Sequence, residues 1–330
     1  MQVKETALPL YVAYILNSEL LKKQMKFNLV ANNAVDYLDK SLIKNLLFPL
    51  PTIDIQENIV NLYQIAYNQK LQKESQAKVL LESIDTYILN ELGITLPQKD
   101  NSLRSRIFTT NFSEISGNRF DSEYFSKNIK DILKAINFSN YPLDNIKNHC
   151  SFIAGYAFSS EDYLDNSDCI LITIKNISEN SIDFSNTTFL PSDFYDKYKR
   201  FIINKNDLII AMTGATIGKV GIYDSNKKAL LNQRNGIIKS VKLNTYYLMN
   251  LLNTEIYQNI ILRNSVGGAQ PNISENAIAK IKIPIPPIEK QTEIANHIKE
   301  IRQQANNLKA EATAVLENAK QEVEKLIIGE

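Results

Sequence analysis

The chain has no tryptophan and only two cysteines, two histidines and four methionines among its 330 residues. Cys150 and Cys169 cannot form the framework of a disulfide-stapled secreted domain, so a reducing cytoplasm is the expected compartment. No apolar stretch approaches the roughly 18 residues that span a bilayer, and no basic-then-apolar leader opens the sequence, so no membrane attachment is expected. A net charge of +1 argues against a generic binder of polyanions. The missing tryptophan, beside abundant Asn, Ile and Lys, reflects biased base composition more than function. What is there has the balance of a globular protein long enough for one large core or two modest ones.

The sequence repeats itself. Phe48-Pro49-Leu50-Pro51 opens one long helical pattern, and Ile283-Pro284-Ile285-Pro286 opens another 235 residues later. At that offset Ile43 falls on Ile278, Gln56 on Gln291, Ile59 on Ile294 and Ala77 on Ala312. With a one-residue slip, Leu16-Asn17-Ser18-Glu19-Leu20 falls on Leu252-Asn253-Thr254-Glu255-Ile256. Such a period is too long for a solenoid and points to duplicated domains related by approximate two-fold symmetry. One copy is whole. The other begins near its own end, since Val3-Lys4 aligns with Val241-Lys242.

Four segments follow. Residues 1–52 are expected to be the C-terminal remnant of a first domain, with a helix through Tyr11–Lys26. Residues 53–96 hold a first long helix closed by Gly93, residues 97–287 a complete domain of short strands and helices, and residues 288–330 a second long helix. In that second helix Ile294, Ile298, Ile301, Ala305, Leu308, Ala312, Val315 and Ala319 step by four and three, the seam of a coiled coil, continued by Val323 and Leu326 after a stutter. Ile59, Tyr63, Ala66, Ala77, Leu80, Ile84 and Ile88 are equivalent in the first, with Lys70 and Lys73 interrupting. The fold class expected is therefore α+β, with the two long helices packed as an antiparallel coiled coil. About 39 residues at ~1.5 Å each give a spacer of about 58 Å.

Catalytic chemistry is hard to find. Gly214-Ala215-Thr216-Ile217-Gly218-Lys219-Val220 fails as a phosphate-binding loop, because the glycines stand one residue too close and Val220 replaces the hydroxyl that would bind Mg²⁺. No Asn/Asp-Pro-Pro-aromatic string marks an amino-methyltransferase. His149, Cys150 and Cys169 lack metal-knuckle spacing and read as buried structural residues. No catalytic residue, metal or bound cofactor is assigned. Between Lys175 and Lys242, 11 basic residues face 6 acidic ones, a local surplus compatible with phosphate contact.

Several strings together resemble the DNA-specificity (S) subunits of Type I restriction-modification systems. Arg119-Phe120-Asp121-Ser122-Glu123-Tyr124-Phe125 looks like the opening of a target recognition domain. Asn206 through Lys219 is similar to the family's Gly-Asp-Ile-Leu…Gly-x-x-Gly-Lys stretch, and Leu231-Asn232-Gln233-Arg234 to its Asn-Gln element. Gly267-Gly268-Ala269-Gln270-Pro271-Asn272-Ile273-Ser274, followed by Ile283 through Gln291, resembles the domain exit. The resemblance implies a non-catalytic reader of double-stranded DNA. Two recognition domains each read half of a bipartite site, and the helices dock adenine methyltransferase subunits that carry the S-adenosylmethionine. A translocating restriction subunit is a further implied partner. Here Asn32-Asn33 stands where Gly267-Gly268 would be, so one chain is expected to read one half-site. A second copy, or another chain, would supply the rest, and the gene is either a half-size subunit, a split piece or a silent cassette.

Base edges are best read by Arg on guanine and by Asn or Gln on adenine, while Lys and Arg hold phosphates. On that chemistry the DNA-binding candidates are Lys175, Asn176, Lys199, Arg200, Lys219, Gln233, Arg234 and Gln270. The aromatic runs at Tyr156, Phe158, Tyr195, Tyr198 and Phe201 read as core or turn residues rather than base-stacking platforms. A coiled-coil interaction scaffold is the alternative reading, and it leaves the glycine-rich strings unexplained.

Overall fold

A computed structural model describes residues 5–27, 43–98, 102–115, 124–266 and 271–328. Its principal helices are α1 (Pro9–Leu16), α2 (Glu19–Phe27), α3 (Ile53–Glu91), α4 (Lys127–Asn137), α5 (Thr245–Leu252), α6 (Glu255–Asn264), α7 (Glu275–Ala279) and α8 (Ile288–Ile328). The chain forms two compact units, one of residues 1–82 with 300–330 and one of residues 83–299.

In the first unit α3 and α8 run antiparallel. Val60 and Val323 share one apolar cluster, and further along Lys73 Nζ meets Glu311 Oε2 at 2.6 Å. Lys73 thus interrupts the seam as an interhelical ion pair. The buried seam is largely alanine: Ala66, Ala77, Ala305, Ala312 and Ala319, with Ile59 at its end. Small side chains let two helices approach closely. The predicted seam continues to Val323 but stops there, because Leu326 is exposed. The helix expected over residues 11–26 is two helices. Asn17 ends α1, and Ser18 turns its hydroxyl back to donate to the Ile15 carbonyl at 2.7 Å.

In the second unit the same helices pair through Ile84, Ile88, Ile294 and Ile298, all buried. The Tyr87 and His297 rings lie 4.3 Å apart, and Lys290 Nζ is 2.6 Å from Glu91 Oε2. Gly93, at φ +69°, closes α3 in the left-handed conformation that a residue without Cβ adopts freely.

Two four-stranded sheets form the body of this unit. One orders β6 (Thr188–Leu190), β3 (Cys169–Ile172), β10 (Ala229–Leu231) and β7 (Ile202–Ile203), with β3 and β10 parallel. The other is antiparallel, in the order β2 (Cys150–Ala154), β11 (Asn235–Ser240), β8 (Leu208–Ala211) and β9 (Val220–Ile222). Strands β3 and β8 are buried along their whole length, which is why Cys169-Ile-Leu-Ile and Leu208-Ile-Ile-Ala read as continuous apolar runs. Ile170, Ile172 and Leu231 from one sheet share a core with Ile209, Ala211 and Ile237 from the other. Each of the buried isoleucines and leucines contributes about 1.5–3 kcal/mol. The ribbon β4 (Ile177–Ser178) and β5 (Ser181–Ile182) adds Ile177 and Ile182, and β1 (Leu143–Asn145) pairs with β12 (Lys282–Pro284).

The duplication persists in the hydrogen bonds. Buried Gln56 accepts the Leu8 N–H at 2.8 Å and donates to the Pro51 carbonyl at 2.8 Å. Buried Gln291 accepts the Asn244 N–H at 2.9 Å and donates to the Pro286 carbonyl at 2.8 Å. Tyr11 donates to Pro49 O at 2.7 Å, as Tyr247 donates to Pro284 O at 2.9 Å. Thr254 repeats the back-bond of Ser18, donating to Leu251 O at 2.7 Å. Two distant stretches are therefore one structural motif used twice, with the one-residue slip taken up before each proline pair.

Candidate nucleic-acid interface

Three of the sequence strings converge. The Met212 N–H donates to Arg234 O at 2.8 Å, the Ile273 N–H to Met212 O at 2.9 Å, and the Gly214 N–H to Pro271 O at 3.0 Å. A fourth segment joins from β2, where the Tyr156 N–H donates to Leu231 O at 3.0 Å and the Gln233 N–H to Tyr156 O at 2.7 Å. The two segments touch closely enough at Gly155 that a Cβ there would run into the Asn232 carbonyl.

The turn between β10 and β11 is consequently fixed on every side. The Asn232 N–H donates to Ile172 O at 3.0 Å, and buried Asn235 donates through Nδ2 to Asn232 O at 3.3 Å and Gln233 O at 3.5 Å. Arg234 sits at φ +72°, a left-handed conformation that costs an arginine roughly 1–2 kcal/mol. The surrounding bonds hold it there, as such strain requires. With the backbone occupied, the exposed Gln233 and Arg234 side chains are left to face outward.

Gln233, Arg234 and Lys175 line one open hollow of about 370 Å³, together with Tyr163, Thr173, Ile174, Thr188 and Asn232. Lys175 reaches it from the 3₁₀ turn Ile174–Asn176. No carboxylate lines the hollow, and among the described residues Lys175 and Arg234 have no acidic partner. Asn232 donates to the Tyr163 hydroxyl at 3.0 Å, while its Oδ1 is buried without a partner. The result is a positive hollow edged with amides and hydroxyls.

The other candidates lie elsewhere. Asn176 is only 1% exposed, and its Oδ1 accepts from the Thr173 N–H and hydroxyl while its Nδ2 donates to Asp183 O and Asn186 O. Both ends of its amide serve the fold, which removes it from the reading residues. Lys199 pairs with Asp196 at 3.5 Å, and Lys219 with Glu179 at 3.5 Å. Arg200 is exposed, its guanidinium 6.0 Å from the Phe201 ring. Gln270 lies outside the described residues, as do Arg119–Glu123 and Asn32-Asn33. Tyr163, Thr173 and Thr188 also line the hollow, the first two from loop positions and Thr188 from β6, and single hydroxyls on separate elements leave no sequence signal.

The glycine-rich string is a structural loop. Gly218, at φ +87°, gives its carbonyl to Gln258 Nε2 at 2.8 Å. Asn253 grips Val220 at both its N–H and its carbonyl, at 3.0 and 2.7 Å. Of the aromatic run, Phe158 is buried with Cys169, Leu171, Leu190 and Leu230, and Tyr195, Tyr198 and Phe201 pack partly buried against that cluster, while Tyr156 is 38% exposed. The Tyr195 hydroxyl accepts the Ile170 N–H at 3.1 Å, and burial pushes its pKa up to about 12. His149 Nε2 lies 2.9 Å from Asp144 Oδ2, and Asn148, Asn145 and His149 together hold the Asp144 carboxyl below its ordinary range. Among the described residues no helix is long and apolar enough to cross a membrane.

Two sheets ending in a rigid, cation-bearing turn, with a pair of long helices, define the class. The family model for the Type I restriction modification DNA specificity domain matches residues 145–318, and the chain belongs to that family. It is 24% identical over 328 residues to the Type I restriction enzyme MjaVIII specificity subunit of Methanocaldococcus jannaschii, covering 97% of this chain and 68% of that subunit. It is 21% identical over 302 residues to the EcoBI specificity subunit of Escherichia coli, covering 86% of this chain and 57% of that subunit. A solved chain from a type I R-M system, described for its complex assembly and conformational transition, shares the fold. Its TM-score is 0.61 at 13% identity, over 97% of this chain and 71% of that one.

Proposed function

We propose that this chain is the sequence-reading specificity subunit of a Type I restriction-modification complex. It reads one half of a bipartite duplex site without catalysing a reaction. The observation that carries this reading is the β10–β11 turn, whose backbone is held by Asn235, Tyr156, Ile172 and Met212 while Gln233 and Arg234 face outward. Reading a base edge needs such preorganisation, because a bidentate Arg–guanine or Gln–adenine pair tolerates little displacement. Lys175 then contributes a phosphate contact beside the turn, and Lys199, Arg200 and Lys219 contribute others outside the hollow.

Family membership supports the rest of the complex as part of the same proposal. Methyltransferase subunits dock on the long helices and bring S-adenosylmethionine, and a translocating restriction subunit joins them. Residues 1–52 repeat the exit of the recognition domain, and the long helices act as the spacer. At ~1.5 Å per residue, the 39 residues of α3 extend about 58 Å, somewhat over one and a half turns of B-DNA.

Selection from a random duplex library with the assembled complex tests the reading. Arg234→Gly removes the guanidinium while keeping the left-handed turn unstrained. It is expected to relax preference at one or two base pairs by about 10- to 100-fold. Lys175→Ala is expected to weaken all sequences alike and lower the salt slope by about 1. Absence of any enriched sequence with the unaltered protein would overturn the assignment.

A further inference from the structure

A second hollow of about 570 Å³ lies in the unit of residues 83–299, among α4, α6, α7 and the start of β12, and the reading of DNA does not use it. Its floor is aliphatic, made by Leu133, Leu143, Ile260 and Ile281. Its cations are Arg263, Lys280 and Lys282, and none of the described residues that line it is acidic. Among the described residues Lys280 and Lys282 have no ion-pair partner, and both are exposed. Arg263 is held in place, donating through Nε to Tyr124 O at 3.0 Å with its guanidinium 3.8 Å over the Tyr124 ring. Asn137, Asn264 and Asn276 add amides that can meet a peptide backbone.

We propose that this hollow is a docking site for an acidic peptide segment of a partner subunit, one that seats an aliphatic or aromatic side chain on the floor and its carboxylates on Arg263, Lys280 and Lys282. Three observations select that occupant. Unpaired cations around a cavity free of carboxylates call for an anion. An aliphatic floor of this size matches the anchoring of a large apolar side chain at the centre of an interface. A nucleotide is disfavoured because among the described residues no aromatic ring lines the hollow for a base to stack on, and the adjacent Tyr124 ring already carries Arg263. Duplex DNA is disfavoured because its convex backbone would leave the apolar floor uncovered.

The proposal rests on the chain working within an assembly, and its test is separate from base reading. The probes are fluorescein-labelled ten-residue peptides that alternate Asp or Glu with Leu, Ile or Phe, titrated by anisotropy against the full chain. Peptides with Lys in place of the acids serve as controls. The expected result is saturable binding of acidic peptides, weakened about tenfold or more by Lys280→Glu with Lys282→Glu and likewise by high salt. Arg234→Gly should leave peptide binding unchanged. No binding of acidic peptides, equal binding of the basic ones, or indifference to the double charge reversal would each overturn it. So would a double variant that loses DNA affinity but keeps the peptide, since the lysines would then be phosphate clamps. The peptide outcomes leave the library selection untouched, so the two readings fail independently.

Discussion

Replacing Gln291 with methionine tests whether the repeated glutamine joint holds each helical hairpin to its long helix. The side chain is 2% exposed, accepts the Asn244 N–H at 2.9 Å and donates to Pro286 O at 2.8 Å. Methionine fills nearly the same volume but strands both partners. Each polar partner left unpaired costs about 1–3 kcal/mol, and the added apolar burial returns roughly 1, so with two partners stranded the net loss should be about 1–5 kcal/mol. Asn244 also caps α5, its Oδ1 accepting the Tyr247 N–H at 3.1 Å, so the loss should be felt along that helix. A chain of two compact units need not unfold in one step, so local opening is the quantity to read. In hydrogen exchange resolved by mass spectrometry, peptides spanning residues 244–252 should lose protection by about fivefold or more. Gln56→Met should produce a matching loss across residues 8–16, where Gln56 accepts the Leu8 N–H at 2.8 Å. Gln291→Glu keeps an acceptor for Asn244 but sets a carboxylate against the Pro286 carbonyl, and should be at least as damaging. A change below threefold for either methionine variant would refute the reasoning, since the joint would then not hold the hairpin.

Gly155→Ala should cost about 1–3 kcal/mol, because its Cβ would meet the Asn232 carbonyl, and it should blunt DNA discrimination in step. An unchanged melting temperature and unchanged selection would contradict the close approach. Burial pushes both thiols up to about 11, so at pH 8 the reactive thiolate should be about 100-fold scarcer than for a thiol at its ordinary value. Labelling with a thiol reagent should therefore be slow in the folded chain, rise with pH and become fast in denaturant, and prompt labelling at pH 8 would contradict the burial of Cys169.

Periodicity carried most of the architecture. The four-three steps from Ile294 to Ala319 mark the buried side of α8, and the internal repeat marks Gln56 and Gln291 as equivalent. The break at Asn17–Ser18 was harder to see, because apolar residues continue past it and only the capping geometry separates α1 from α2. Gln233, Arg234 and Lys175, chosen on the chemistry of base and phosphate contact, come together at one hollow. Asn176 carries the same chemistry and yet faces inward, because burial depends on the turn at Thr173 rather than on residue type. The left-handed Arg234 leaves no trace in a sequence where glycine or asparagine would be the usual signal.

The glutamine joint has a consequence for how such a protein changes over generations. Gln56 and Gln291 bind main-chain amides and carbonyls, and Tyr11 and Tyr247 bind carbonyls, so the joint is blind to the side chains of its partners at Leu8, Asn244 and the prolines' carbonyls. A head of quite different composition can be mounted on the same stem, provided its terminal hairpin offers the same backbone shape. Inheritance can therefore rewrite what is recognised while leaving the means of attachment untouched.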